Sequence, residues 1–183
     1  MNTTPRDDSP RRTELVVAAY RRLASAGFEG LRTRDIASEV GVNVATLHYY
    51  FPTKEALIRA AVAHAMGRFA GTLGSEGSRA EVLKAHFAAL RRLLHDEPEL
   101  PAVMGEVAMR SARDPAMAEI MRTVENAWHG WLTRMLGADR ADSAGKATLM
   151  MATLRGMMLP GVSQSDERLD QTLGELERAV LEG

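Results

Sequence analysis

In the first third of this chain, the feature that most constrains the fold is a glycine between two short helical patterns. Thr33 can cap a helix, because its hydroxyl accepts a backbone N–H of the first turn. Gly41 follows where that helix should close with a left-handed residue. Asn43 can cap a second helix, which Pro52 ends because proline lacks an N–H donor. The pattern predicts a helix-turn-helix over about 32–51, whose second helix enters the DNA major groove.

The rest of the sequence also predicts helices, because no segment alternates apolar and polar residues as a half-buried strand does. Gly27 should close the first helix, and Pro160 with Gly161 should end the eighth. Apolar spacing, caps and breakers place the helices outside the helix-turn-helix at about 13–26, 53–69, 79–95, a short stretch ending near 111, 114–136, 142–159 and 166–181. The predicted fold class is all-α, with about nine helices.

Charge and composition bound the organisation of the chain. We expect a disordered arm over 1–10, a DNA-binding domain over 11–70 and a helical domain over 79–183, joined by a glycine-rich stretch. Residues 1–70 hold ten basic and seven acidic side chains, against thirteen and seventeen in the remainder. A weakly basic head on an acidic body suits DNA contact at one end.

Several classes of protein are disfavoured. The chain has no cysteine, which excludes a disulfide scaffold and a thiolate metal site and suits a reducing cytoplasm. The polar, proline-containing start is no signal peptide, and no stretch approaches the roughly 20 apolar residues of a bilayer span. We expect a cytoplasmic protein with no membrane contact, cofactor or metal.

A set of motifs across 11–69 resembles the DNA-binding core of the tetracycline-repressor (TetR) family. The residues that carry the resemblance are Gly27, Phe28, Gly30, Thr33, Asp35, Ile36, Ala37, Gly41, Val42, Thr46, Leu47, Tyr49, Tyr50, Phe51, Lys54, Glu55 and Leu57. The body matches that family only in helical layout. The resemblance implies a transcriptional regulator with a TetR-like fold, in which a helix-turn-helix head precedes a helical ligand-binding and dimerisation bundle.

The resemblance also implies which residues contact double-stranded, near-palindromic DNA. Base edges would face Val44, Ala45, Thr46 and His48. Phosphates would be held by Thr33, Tyr49 and Lys54, and Arg34 would reach a phosphate or a nearby base. Plainer alternatives exist for three of these residues: Thr33 as a cap only, Tyr49 as a core residue, and Lys54 as a solvated lysine.

For the body, the resemblance implies a homodimer and a small-molecule effector of unknown identity. The candidate pocket residues are Phe87, Met104, Met117, Met121, Trp128 and Trp131, to which His86, His95 and His129 could add polar contacts. The candidate dimer interface is Met151, Leu154 and Met158 on one helix and Leu169, Leu173, Leu176 and Val180 on the last. Either set could instead be ordinary core packing within one chain.

The sequence disfavours two competing functions. A helical enzyme with a carboxylate metal site needs paired Glu-x-x-His motifs, whereas Glu125 and His129 stand four apart without a twin. Nucleophilic chemistry has no cysteine and no glycine-flanked serine elbow to use. A protein-interaction module that has lost DNA binding is disfavoured by the retained Thr46, Tyr49 and Lys54. A ligand-responsive transcriptional regulator, acting as a repressor, is the function that the sequence favours.

Overall fold

The computed structural model describes residues 9–159 and 165–181, and in these ranges the chain forms helices and no strand. Residues 1–8, with most of the expected arm, and the stop at Pro160 and Gly161 lie outside the described residues. The helices are α1 (Pro10–Gly30), α2 (Thr33–Glu39), α3 (Val44–Tyr50), α4 (Lys54–Ala70), α5 (Arg79–Asp96), α6 (Glu99–Ser111), α7 (Pro115–Leu136), α8 (Ser143–Met157) and α9 (Asp166–Leu181).

The first helix starts earlier than the sequence suggested. Ser9, placed in the arm, caps α1 by accepting the Arg12 N–H at 3.2 Å, and Pro10 occupies the first helical position. Proline suits that position because its missing N–H would have no partner inside the helix. Gly27, with φ 64°, interrupts α1 where closure was predicted, and one further turn follows to Gly30.

The chain divides into two compact units, Met1–Gly67 and Arg68–Gly183. The division falls inside α4 rather than in the glycine-rich stretch 71–78. In the first unit, called the head, α2 packs against α1 and α3. In the second unit, called the body, α7 packs against α5, α6 and α8, while α9 packs against α5 and α8.

Ion pairs fasten the last helix to α5. Arg91 donates to Glu177 at 2.8 Å, and the Nε2 of His95 lies 3.2 Å from Asp170.

No helix in the described ranges is both long and apolar enough to cross a bilayer.

Candidate nucleic-acid interface and aromatic cluster

The turn between α2 and α3 is fixed by backbone hydrogen bonds. The Val42 N–H donates to the Ala37 carbonyl at 2.8 Å, and the Gly41 N–H donates to the Ser38 carbonyl at 3.1 Å. Gly41 has φ 71°, the left-handed conformation that this pair of bonds requires. The predicted role of Gly41 is confirmed, and α3 therefore leaves the turn in one defined direction.

The helix starts on either side of the turn differ from each other. Asn43 caps α3 as predicted, since its Oδ1 accepts the Thr46 N–H at 2.8 Å and the Thr46 hydroxyl at 3.0 Å. The predicted cap at Thr33 is wrong, because Arg32 occupies the N-cap position and Thr33 is already helical. The helix begins one residue early because the Arg32 carbonyl accepts the Ile36 N–H at 3.2 Å.

One face of α3 is turned to solvent. The predicted base-contact residues are exposed or half-buried: Val44, Ala45, Thr46 and His48. On the opposite face Leu47 is fully buried, and Phe51 follows it into the core. Tyr49 is 53% exposed, so it lies on the surface rather than in the core. The structure thus brings these residues to one accessible helix face.

The flanking residues differ in how they are held. Arg34 is exposed on α2. Lys54 is half-buried, and its Nζ donates to the Phe28 carbonyl at 3.3 Å. This bond ties the start of α4 to the last turn of α1, so Lys54 is not the freely solvated lysine of the plainer alternative.

Two arginine side chains of α1 contact the helix-turn-helix and help to orient α2 and α3. These contacts were not predicted from the sequence. Arg22 pairs with Asp35 and so joins α1 to α2. The Arg12 guanidinium lies 5.0 Å from the centre of the Phe51 ring, beyond the end of α3. These links span α1 and the helix-turn-helix, which is why spacing along one helix could not reveal them.

The body contains an aromatic cluster, which consists of the buried Phe69, His86 and Phe87 and the half-buried Trp128 and Trp131. The His86 ring centre lies 4.9 Å from that of Trp131 and 6.0 Å from that of Trp128, both edge-on. Phe69, at the end of α4, lies 5.9 Å from Trp128 between ring centres. The structure therefore brings together three of the six predicted pocket residues, around His86, one of the three histidines that the sequence offered for polar contacts.

His86 is the polar centre of the aromatic cluster. Its side chain is 0% exposed, and its Nδ1 lies 3.0 Å from the Thr72 carbonyl oxygen. Because a carbonyl only accepts, Nδ1 carries the proton and Nε2 is left with a lone pair. Burial lowers the pKa of His86 to about 4, against a smaller opposite effect of the Thr72 bond.

The other predicted pocket residues are methionines of the body. Met104 and Met117 are buried and Met121 is half-buried. Glu125 pairs with Arg155, and His129 lies 3.2 Å from the Thr148 hydroxyl. In the described part of the chain no three histidine, aspartate or glutamate side chains are grouped as metal ligands.

The predicted dimer seam requires a correction. Its members lie in the core of the single chain with at most 8% exposure: Met151, Leu154, Met158, Leu169, Leu173, Leu176 and Val180. The reason is that α9 turns its apolar stripe toward α5 and α8 of its own chain. The alternative that these faces pack within one chain is the one that the structure supports.

A different stripe on α8 faces outward. Leu149 and Leu159 are 53% and 46% exposed. Between and before them Gly145 and Ala152 are exposed and Gly156 is half-buried. The spacing of four, three and four residues places the first four on one face of α8, and Leu159 follows two residues after the helix ends. We call this set the α8 stripe.

Comparisons with known proteins agree on the architecture. Residues 15–61 match the model of the bacterial regulatory proteins of the tetR family. The nicotine-responsive transcriptional repressor HdnoR of Paenarthrobacter nicotinovorans is 28% identical over 133 residues, which cover 70% of this chain and 68% of that protein.

Solved structures extend the likeness to the whole chain. A transcriptional regulator from Rhodococcus sp. Rha1 has a TM-score of 0.79 at 24% identity, covering 94% of this chain and 96% of that one. A regulator from Saccharomonospora viridis in complex with choline has a TM-score of 0.69 at 24% identity, covering 90% and 93%. At this identity, these two likenesses concern the fold alone.

Proposed function

Because the chain belongs to the TetR family of transcriptional regulators, we propose that it is a repressor whose homodimer binds a near-palindromic operator and leaves it when a small-molecule effector binds. The observation that carries the proposal is the outward face of α3, which the glycine turn, the Asn43 cap and the buried Leu47 hold in one orientation. A similar protein is named as a repressor, which supports the sign of regulation.

The residues of α3 favour particular base edges. Val44 and Ala45 present methyl groups, which suit the methyl group of thymine. The Thr46 hydroxyl donates its proton to Asn43, so toward DNA it can only accept. We therefore expect Thr46 to read a base donor, the amino group of adenine or cytosine. His48 would make a further base contact, Thr33, Tyr49 and Lys54 would hold phosphates, and Arg34 would reach a phosphate or a nearby base.

The first test is operator recognition. Sites would be selected from a random DNA pool by the wild-type protein and by Thr46→Val, which keeps the shape and removes the hydroxyl. We expect specific binding to weaken by about 1–3 kcal/mol and the preference to relax at one base pair of each half-site. Arg59→Ala, an exposed arginine on α4, is the control for general damage. An unchanged selected site would contradict the assignment of Thr46.

Phosphate contacts are tested by salt. Lys54→Ala should weaken specific and non-specific binding together and reduce the slope of log affinity against log salt by about 0.9. An unchanged slope would mean that the Lys54 side chain serves only to hold the Phe28 carbonyl.

For the dimer, we propose contact through the α8 stripe rather than through the buried seam. Its glycines and alanine allow close helix approach, and its two leucines would otherwise remain exposed. Leu149→Arg should give a folded monomer at micromolar concentration by sedimentation, with weakened operator binding. Met109→Arg, at a site 59% exposed on α6, should remain dimeric. A wild-type monomer, or a dimeric Leu149→Arg variant, would refute this interface.

For the effector, we propose the aromatic cluster as the binding site. The nicotine response of one similar protein and the choline in another support the existence of a small-molecule effector. Phe69 lies near the end of α4 (Lys54–Ala70) and contacts Trp128, with 5.9 Å between the ring centres. We propose that a ligand at the cluster displaces Phe69 and with it the end of this helix.

The chain provides its own reporter for this site, since its two tryptophans both belong to the aromatic cluster. Compounds from an apolar library that change tryptophan emission should also lower operator affinity about 5- to 150-fold, the usual range of such coupling. Compounds that bind at the cluster while operator affinity stays constant would refute effector control.

A further inference from the structure

Two buried nitrogen atoms of the aromatic cluster lack a hydrogen-bond partner in the described part of the chain. They are the Nε2 of His86 and the Nε1 of Trp128. Buried polar atoms without partners are uncommon in folded proteins, because each forfeits its bonds to water. Trp131 shows the usual arrangement, since its Nε1 donates to the Gly74 carbonyl at 3.2 Å.

The two atoms have opposite hydrogen-bonding character. The His86 Nδ1–H is committed to the Thr72 carbonyl, so Nε2 offers only a lone pair. The indole nitrogen of Trp128 can only donate. Their rings meet edge to face with centres 6.0 Å apart, so the acceptor and the donor belong to neighbouring rings of the same cluster. A group that both donates and accepts would satisfy the two atoms together.

We propose that the effector is an uncharged, flat aromatic molecule with a hydroxyl group that donates to His86 Nε2 and accepts from Trp128 Nε1. This inference rests on the proposed function and names the ligand class of the same site. A carboxylate offers no proton to His86 Nε2, and a quaternary ammonium ion offers neither a proton to His86 Nε2 nor an acceptor to Trp128 Nε1. Flat rings suit a cluster of aromatic side chains, which pack edge to face or offset.

The decisive comparison uses two probes of nearly equal shape, 2-naphthol and 2-methylnaphthalene, with the full-length protein. Calorimetry should show 2-naphthol binding at least about tenfold more tightly, since only its hydroxyl satisfies both buried atoms. In nitrogen-15 spectra, 2-naphthol should shift the Trp128 indole N–H signal toward the hydrogen-bonded range. Trp128→Phe assigns that signal.

Matched variants test which residues cause the preference for 2-naphthol over 2-methylnaphthalene. Trp128→Phe and His86→Leu should each reduce the advantage of 2-naphthol to about threefold or less. Trp131→Phe should keep the advantage, because the Trp131 nitrogen is already bonded to Gly74. If a variant fails to fold, the indole shift in the wild-type protein still decides the matter.

Three results would overturn the inference: equal affinity for the two probes, no binding of either up to its solubility limit, or an unmoved Trp128 signal on binding. Operator affinity, measured with both probes on DNA selected from a random pool, separates this inference from the proposed function. If both probes bind equally and both release DNA, effector control stands and the hydroxyl requirement fails. If 2-naphthol binds as expected while operator affinity is unchanged, the binding site stands and effector control fails.

Discussion

Replacing His86 by glutamine should make the protein less sensitive to acid. Glutamine can still donate to the Thr72 carbonyl, but it carries no charge at any pH. In the wild-type protein the His86 ring lies among Phe87, Trp128 and Trp131, and burial disfavours its protonation. The unfolded chain leaves the same ring in water, where it protonates readily.

The size of the effect follows from the two pKa values. The pKa of His86 falls from 6.5 to about 4 on folding, and each pKa unit corresponds to about 1.4 kcal/mol. Above pH 6.5 the ring is mostly neutral in both states, so its contribution to stability is fully present there. As the pH falls toward 4, the unfolded state takes up a proton that the folded state refuses. Wild-type stability should then drop by roughly 3 kcal/mol relative to His86→Gln.

The assay is urea unfolding of both proteins from pH 4 to pH 8 at one protein concentration, because a dimer would unfold in a concentration-dependent way. The difference between the two free energies of unfolding removes the carboxylate titrations that both proteins share. An independent proton NMR titration should give a native His86 midpoint near 4. A difference that stays flat with pH, or a native midpoint near 6.5, would refute the reasoning.

Three further changes should be measurable by the same unfolding assay. Hydrogen bonding and charge from Asp170, with Asp166 beside it, raise the pKa of His95, so its stabilisation is present below pH 6.5 and disappears as the pH rises through the higher native value. Asp170→Asn should remove most of this pH dependence of stability. If the stability of the wild-type protein shows no such dependence, the pairing of His95 with Asp170 is contradicted. Gly41→Ala should lower the free energy of unfolding by about 1–2 kcal/mol, because φ at this position is 71°, a left-handed value that strains alanine. No atom lies within 4 Å of the added methyl, so the cost is one of backbone conformation alone. An unchanged stability would mean that Gly41 does not adopt the left-handed conformation. Asn43→Ala should cost about 1 kcal/mol through loss of the α3 cap, and no loss would mean that water replaces it.

The head was largely predictable because its signals are local. Gly41, Asn43 and Pro52 act within one turn of their own position, so the sequence alone placed the helix-turn-helix. Thr33 shows the limit of such signals. A threonine before an apolar stripe suits both the N-cap and the first helical position, and the backbone at Arg32 decided between them.

In the body the sequence predicted the helices well, but it did not predict which element packs against each helix face. Leu169, Leu173 and Leu176 repeat as a helix-pairing seam should, yet periodicity does not say whether the partner helix belongs to the same chain. The buried roles of His86 and Thr72 depend on contact between α5 and the α4–α5 connection, for which no local pattern exists. The sequence therefore offered His86 only as one of three histidines that could add polar contacts, and no pattern distinguished it from the other two.

Burial of His86 has two consequences: it lowers the stability of the protein in acid, and it keeps the Nε2 lone pair available at neutral pH. With the ordinary histidine pKa of 6.5, about a quarter of the rings would be protonated at pH 7 and unable to accept a hydrogen bond. With a pKa of about 4, nearly every ring is neutral and offers its Nε2 lone pair without releasing a proton first. The burial that makes the native state sensitive to acid thus keeps the acceptor ready at neutral pH. A ligand present at one hundred times its Kd would add about 2.7 kcal/mol of stability, comparable with what acid removes at this one residue.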